Sequence, residues 1–134
     1  MRRRLLAVGL ALAACSRQEP PDLSRVSARQ SRLTLEKDDG ATLATVDRER
    51  SPDLYYRVTL ENAPLGTQLD LSCDWIDPAG RVAHQNRYAT RTIDKAVWPT
   101  HCHHLIGPAS PGGAWKVRMS LAERTLATTV FEVR

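Results

Sequence analysis

The chain has 134 residues, a quarter of them charged and 42% hydrophobic, which is material for one domain with a modest core. Its 19 lysines and arginines exceed its 15 acidic residues, for a net charge of +4. They form no clustered stripe with interleaved aromatics, so nothing supports nucleic-acid binding.

The first element is not part of the folded domain. The sequence opens MRRRLLAVGLALAAC. Arg2, Arg3 and Arg4 precede a short apolar run at residues 5–14, the layout of an export signal. The run is too short to span a bilayer as a stable helix. Its end, Leu12-Ala13-Ala14-Cys15, resembles the lipobox of bacterial lipoproteins. That resemblance covers the first fifteen residues. It implies cleavage after Ala14, a thioether lipid on Cys15 and acylation of the new amino group, with palmitate-type chains. One acyl chain anchors only reversibly, at about 0.8 kcal/mol per buried methylene. The three chains implied by the resemblance would hold the protein to a membrane permanently. Ser16, rather than Asp, follows the cysteine, which by the sorting pattern of such lipoproteins favours the outer membrane facing the periplasm. Loss of Arg2, Arg3 and Arg4 with the signal leaves 16 basic against 15 acidic residues, a net of +1.

Residues 15–31 are expected to be the lipidated N-terminus and a flexible tether. The stretch is polar, contains Pro20-Pro21 and shows no apolar period. Residues 32–134 then read as short strands separated by turns. Residues 32–36 alternate and stop at Asp38-Asp39-Gly40. Residues 41–46 are a weak second strand. Leu54, Tyr56, Val58 and Leu60 alternate in the third, which Asn62-Ala63-Pro64-Leu65-Gly66 ends. The clearest strand follows, with Leu69, Leu71, Cys73 and Trp75 on one face. Asp77-Pro78-Ala79-Gly80 turns the chain, and residues 81–88 return. Residues 90–97 are a loop or one helical turn. Residues 100–106 form a short strand after Pro99, a position that suits a sheet edge. Trp115, Val117, Met119 and Leu121 alternate next, and Ala122-Glu123-Arg124 turns into a last strand with Thr129, Phe131 and Val133 inward.

About seven short strands in some hundred residues predict an all-β antiparallel sandwich. The ending PGGAWKVRMSLAERTLATTVFEV resembles the last hairpin of bacterial immunoglobulin-like domains, and LSCDWIDPAG resembles one of their earlier strands. The resemblance, over residues 67–133, implies an immunoglobulin-like β-sandwich. It departs from the antibody pattern, because Trp75 follows Cys73 by two residues and Cys73 and Cys102 are only 29 apart. An antibody-type inter-sheet disulfide is therefore not expected.

The densest chemistry is THCHHLIG, residues 100–107. With Cys15 given to lipid, Cys73 and Cys102 remain in an oxidising compartment, where one disulfide is the simplest reading. Two free thiols or a metal site are the alternatives. Alternation places Cys102 and His104 on the core side and His101 and His103 on the other, so the four cannot converge on one ion. A metal site would use His101 and His103, with His84 as third donor, for copper or zinc. No cofactor and no catalytic residue is expected: the familiar nucleophile, zinc-protease and phosphate-loop motifs are missing, and His84 with Asp77 or Ser72 is a weak dyad. Of the three tryptophans, Trp75 and Trp115 read as core and Trp98 as the exposed one. The expected function is a non-catalytic accessory or interaction module at the envelope, with the membrane as one partner and an envelope protein as another; periplasmic copper or zinc binding is the alternative.

Overall fold

A computed structural model of the chain describes residues 20–134. The expected signal segment and Cys15 lie outside the described residues. Eight strands follow in order: β1 Ser27–Thr34, β2 Thr45–Val46, β3 Asp53–Glu61, β4 Asp70–Ile76, β5 Val82–Ala89, β6 Trp98–Leu105, β7 Gly113–Leu121 and β8 Arg124–Val133. They form two sheets, β1-β3-β6 and β2-β8-β7-β4-β5. The ladders are antiparallel except for the short β2–β8 pair. This is the expected immunoglobulin-like sandwich, with one strand more than the seven expected.

The inner faces come from the strongest alternations. β3 contributes Leu54, Tyr56, Val58 and Leu60, β4 Leu71, Cys73 and Trp75, and β7 Trp115, Val117, Met119 and Leu121, all buried. Each such side chain contributes roughly 1.5–3 kcal/mol when fully removed from water. The polar ends of the large aromatics are paired: Trp75 Nε1 donates to Asn86 Oδ1 at 2.8 Å, Trp115 Nε1 to the Pro111 carbonyl at 2.8 Å, and the Tyr56 hydroxyl lies 3.1 Å from Thr129 Oγ1. Buried Trp and Tyr are tolerated when their N–H and O–H find partners in this way.

Cys73 and Cys102 are bridged, with a Cα separation of 6.5 Å. The bond joins β4 of one sheet to β6 of the other, so it crosses between the sheets without being of the antibody type. Antibody domains place such a bridge on a different strand pair, B and F, with the strand C tryptophan packed against it.

The folded domain also begins earlier than residue 32. Val26 is fully buried and Leu23 packs on the core. Arg124 Nη2 donates to the carbonyls of Leu23 and Val26 at 2.8 and 2.9 Å. A bulge between Ala28 and Gln30 puts Ala28, Ser31 and Leu33 opposite Leu60, Val58 and Tyr56. The bulge breaks the two-residue period, which hid this strand in the supposed tether.

Three other boundaries moved. The weak second strand contracts to Thr45–Val46, because the Leu43 amide bonds to the Leu33 carbonyl at 2.7 Å before the chain crosses to β8. Residues 90–97 are a loop, not a helical turn, pinned by the buried Ile93 and by bonds from the Ile93 amide to Thr67 O and from the Gly66 amide to Ile93 O, each 2.8 Å. β6 starts at Trp98 and includes Pro99, tolerated because β6 is an edge strand.

Candidate functional site

The histidines fall on two sides of the three-stranded sheet. Cys102 points into the core, so its neighbours His101 and His103 point outward and are exposed. His103 stacks on Tyr55 with centroids 5.1 Å apart, and its Nδ1 lies 3.1 Å from Asp53 Oδ1. His101 is 5.6 Å from the same tyrosine ring. His84 does not join them. It stands on β5 and stacks on His104, centroids 4.4 Å apart and planes 10° from parallel. Stacked rings aim their nitrogen lone pairs along parallel planes, so this pair cannot close on one ion. Among the described residues no three His, Cys, Asp or Glu side chains come together in ligating geometry. The proposed third donor for His101 and His103 is thus removed, and with it the basis of the metal alternative.

The stacked pair belongs to a polar seam. β5 is the edge of the larger sheet and overhangs the smaller one, facing the free edge of β6. Its inward residues are therefore polar: His84, Asn86 and Tyr88. The Asn86 amide donates to the His103 carbonyl at 3.1 Å and lies 3.3 Å from His84 Nε2, while its oxygen accepts from Trp75. The Tyr88 hydroxyl is 2.5 Å from Thr100 Oγ1. Burial, reinforced by the nearby His84, pushes the His104 pKa down to about 4 from the ordinary 6.5.

The imagined dyad does not form. Ser72 lies on the outer face of the larger sheet, opposite Arg87 and Ser120, while His84 faces the seam. Asp77 is used in its own turn, where Oδ1 accepts the amides of Ala79 and Arg81. Trp75 and Trp115 are buried as expected. Trp98, expected to be exposed, is half-buried against the core with the Arg91 guanidinium 5.9 Å from its ring.

Polar chemistry concentrates on the two outer faces. On the larger sheet a trough of about 770 Å³ is floored by Ser72 and Ser120. One wall is a network: Asp74 accepts from Arg118 at 2.8 Å and from Gln85 at 2.6 Å, and Arg87 donates to Gln85 Oε1 at 2.8 Å. Burial raises the Asp74 pKa, but these donors outweigh it and the net direction is downward. On the smaller sheet Arg32, Arg57 and His101 sit in register across β1, β3 and β6. Both Arg32 terminal nitrogens fork onto the Asp38 carboxylate, which also comes within 3.9 Å of Arg57 Nε. Sequence reading picked out neither face, because both depend on register between strands distant in the chain.

The architecture is that of an immunoglobulin-like β-sandwich, and solved structures share it. An immunoglobulin-like protein from Pseudomonas aeruginosa superposes with a TM-score of 0.58 at 14% identity, over 85% of this chain and all of that one. Part of a Pseudomonas fluorescens alkylpurine DNA glycosylase, AlkC, solved bound to DNA containing an abasic-site analogue, superposes with a TM-score of 0.57 at 16% identity. That match covers 81% of this chain and 30% of the glycosylase. At such identities the likeness is one of fold. No protein-family model matches the chain, and no curated protein matches it.

Proposed function

We propose that this protein is an envelope lipoprotein, held to a membrane through lipid on Cys15, whose immunoglobulin-like domain is a non-catalytic interaction module facing the periplasm, with the outer membrane as its site. The observation that carries the reading is the Cys73–Cys102 bridge inside the core. Disulfides of this kind persist in exported proteins, and the bridge uses both cysteines that the N-terminal motif leaves over. Support for the module role comes from where the polar groups lie. The inner faces are spent on packing, and the outer faces carry guanidinium, carboxylate, hydroxyl and imidazole groups suited to a protein surface. The partner is therefore a protein of the same compartment, met through a sheet face, with no cofactor and no nucleic acid involved.

Cell fractionation tests the address. The native chain should pellet with membranes, and Cys15→Ala should appear as a soluble or uncleaved form. A native protein found soluble with an unmodified N-terminus would overturn the proposal. For the module role, photo-crosslinkers at Thr125 on the larger sheet and at Thr59 on the smaller should give one discrete adduct from one face. Equal, diffuse labelling from both would speak against a docking face.

A further inference from the structure

We propose that the row Arg32–Arg57–His101 is a binding site for a single carboxylate group, and that Asp38 occupies it in the free protein. Three side chains that carry or can carry positive charge stand directly opposite one another across three strands: Arg32 faces Arg57, and Arg57 faces His101. Like charges in that relation destabilise a sheet, so the arrangement needs an anion. One internal carboxylate supplies it. Arg32 donates through both terminal nitrogens to Asp38, in the fork geometry by which guanidinium recognises a carboxylate.

The remaining donors are only partly committed. Arg57 donates through Nε to Thr34 Oγ1 at 2.9 Å and through Nη2 to the Glu36 carbonyl at 2.7 Å, and among the described residues Nη1 has no acceptor. Beside Asp38 lies a pocket of about 160 Å³, lined by Gln30, Arg57, Thr59 and His101. Roughly 10–15 Å³ seats one water, so the pocket has room for a small carboxylate. His103 has Asp53 for company, but among the described residues no acidic side chain bonds to His101, and burial together with Arg57 holds its pKa below the ordinary value. A carboxylate that displaces Asp38 would meet Arg32 and Arg57 and, on the pocket side, the Gln30 amide, the Thr59 hydroxyl and His101. Asp38 is placed to give way: it sits in an exposed stretch, residues 35–42, tied by its own short turn to the Gly40 amide.

The carboxylate could belong to a free small acid or to the C-terminus of a peptide, and the experiment separates the two. The oxidised domain is titrated with acetate, with N-acetyl-Gly-Gly as the free acid, and with the same peptide as its amide, while NMR follows His101 and the arginine Nε–H signals. The acid peptide should bind saturably and shift Arg32, Arg57 and His101; the amide should not. Asp38→Asn should tighten binding at least ten-fold, because it removes the internal competitor. Asp39→Asn changes the charge equally, but Asp39 acts on Arg32 only through its field and not by a hydrogen bond, so it should change affinity much less. Acetate binding as tightly as the peptide acid assigns the site to free acids, and weaker acetate binding assigns it to peptide termini; either supports the site. Equal binding of the amide, equal gains from both substitutions, or no saturable shift at the row in a folded Asp38→Asn domain would overturn the proposal.

Discussion

Asn86 shows how much one polar residue can hold. It accepts from the fully buried Trp75, donates to the His103 carbonyl and lies against His84, so a single amide joins β4, β5 and β6. Asn86→Ala leaves the indole N–H without a partner, which costs about 1–3 kcal/mol. Urea denaturation should show that loss, and an unchanged midpoint would contradict the role. His104 makes a second residue-scale prediction. Its pKa is depressed to about 4, so between pH 6.5 and 4 the unfolded chain binds more protons than the folded one. The contribution of His104 to stability is then flat above about pH 6.5 and falls as the pH drops toward 4. The ring is half-exposed, and allowing for solvent screening the fall is about 1–2 kcal/mol. The drop between pH 7 and 4.5 should be smaller in His104→Gln; an identical drop would place the acid sensitivity elsewhere. The inward direction of His104 could be read from the two-residue period around Cys102, whereas its partner could not, because nothing local says that β5 overhangs β6.

At the scale of elements, strands with a regular apolar period were legible and those without one were not. β3, β4 and β7 sit where Leu54 to Leu60, Leu71 to Trp75 and Trp115 to Leu121 alternate. β1 was half-missed because its bulge changes phase, and β5 drew little signal because its inward side meets a polar seam instead of the core. The disulfide acts between elements, tying β4 to β6. Replacing Cys73 and Cys102 together by Ala releases a loop near thirty residues, for which chain entropy gives about 3.6 kcal/mol. A domain stable by roughly 5–15 kcal/mol should lose a large share of its resistance to urea. Equal midpoints for the bridged and double-Ala forms would contradict this. Where β7 begins, Gly113 has φ +123, and an added Cβ would meet Pro78 Cγ at 3.1 Å, on the turn between β4 and β5. Gly113→Ala should therefore destabilise by about 1–3 kcal/mol. A thermal midpoint equal to that of the unsubstituted domain would show that the two turns can shift apart freely.

For the whole molecule, the fold class was legible because turn signals about every ten residues leave few alternatives to a sandwich. The outer faces were not, since Arg32, Arg57 and His101 become neighbours only through strand register. The proposed function joins an N-terminal address, lipid on Cys15, to a sandwich whose two other cysteines close on each other. Both halves register in one measurement, intact-mass and peptide mass spectrometry of the native protein, taken from the membrane fraction with thiols blocked and without reduction. The account predicts a chain beginning at acylated Cys15, with Cys73 and Cys102 recovered as one cross-linked peptide pair. A soluble chain with an unmodified N-terminus and both cysteines carrying the blocking reagent would contradict it.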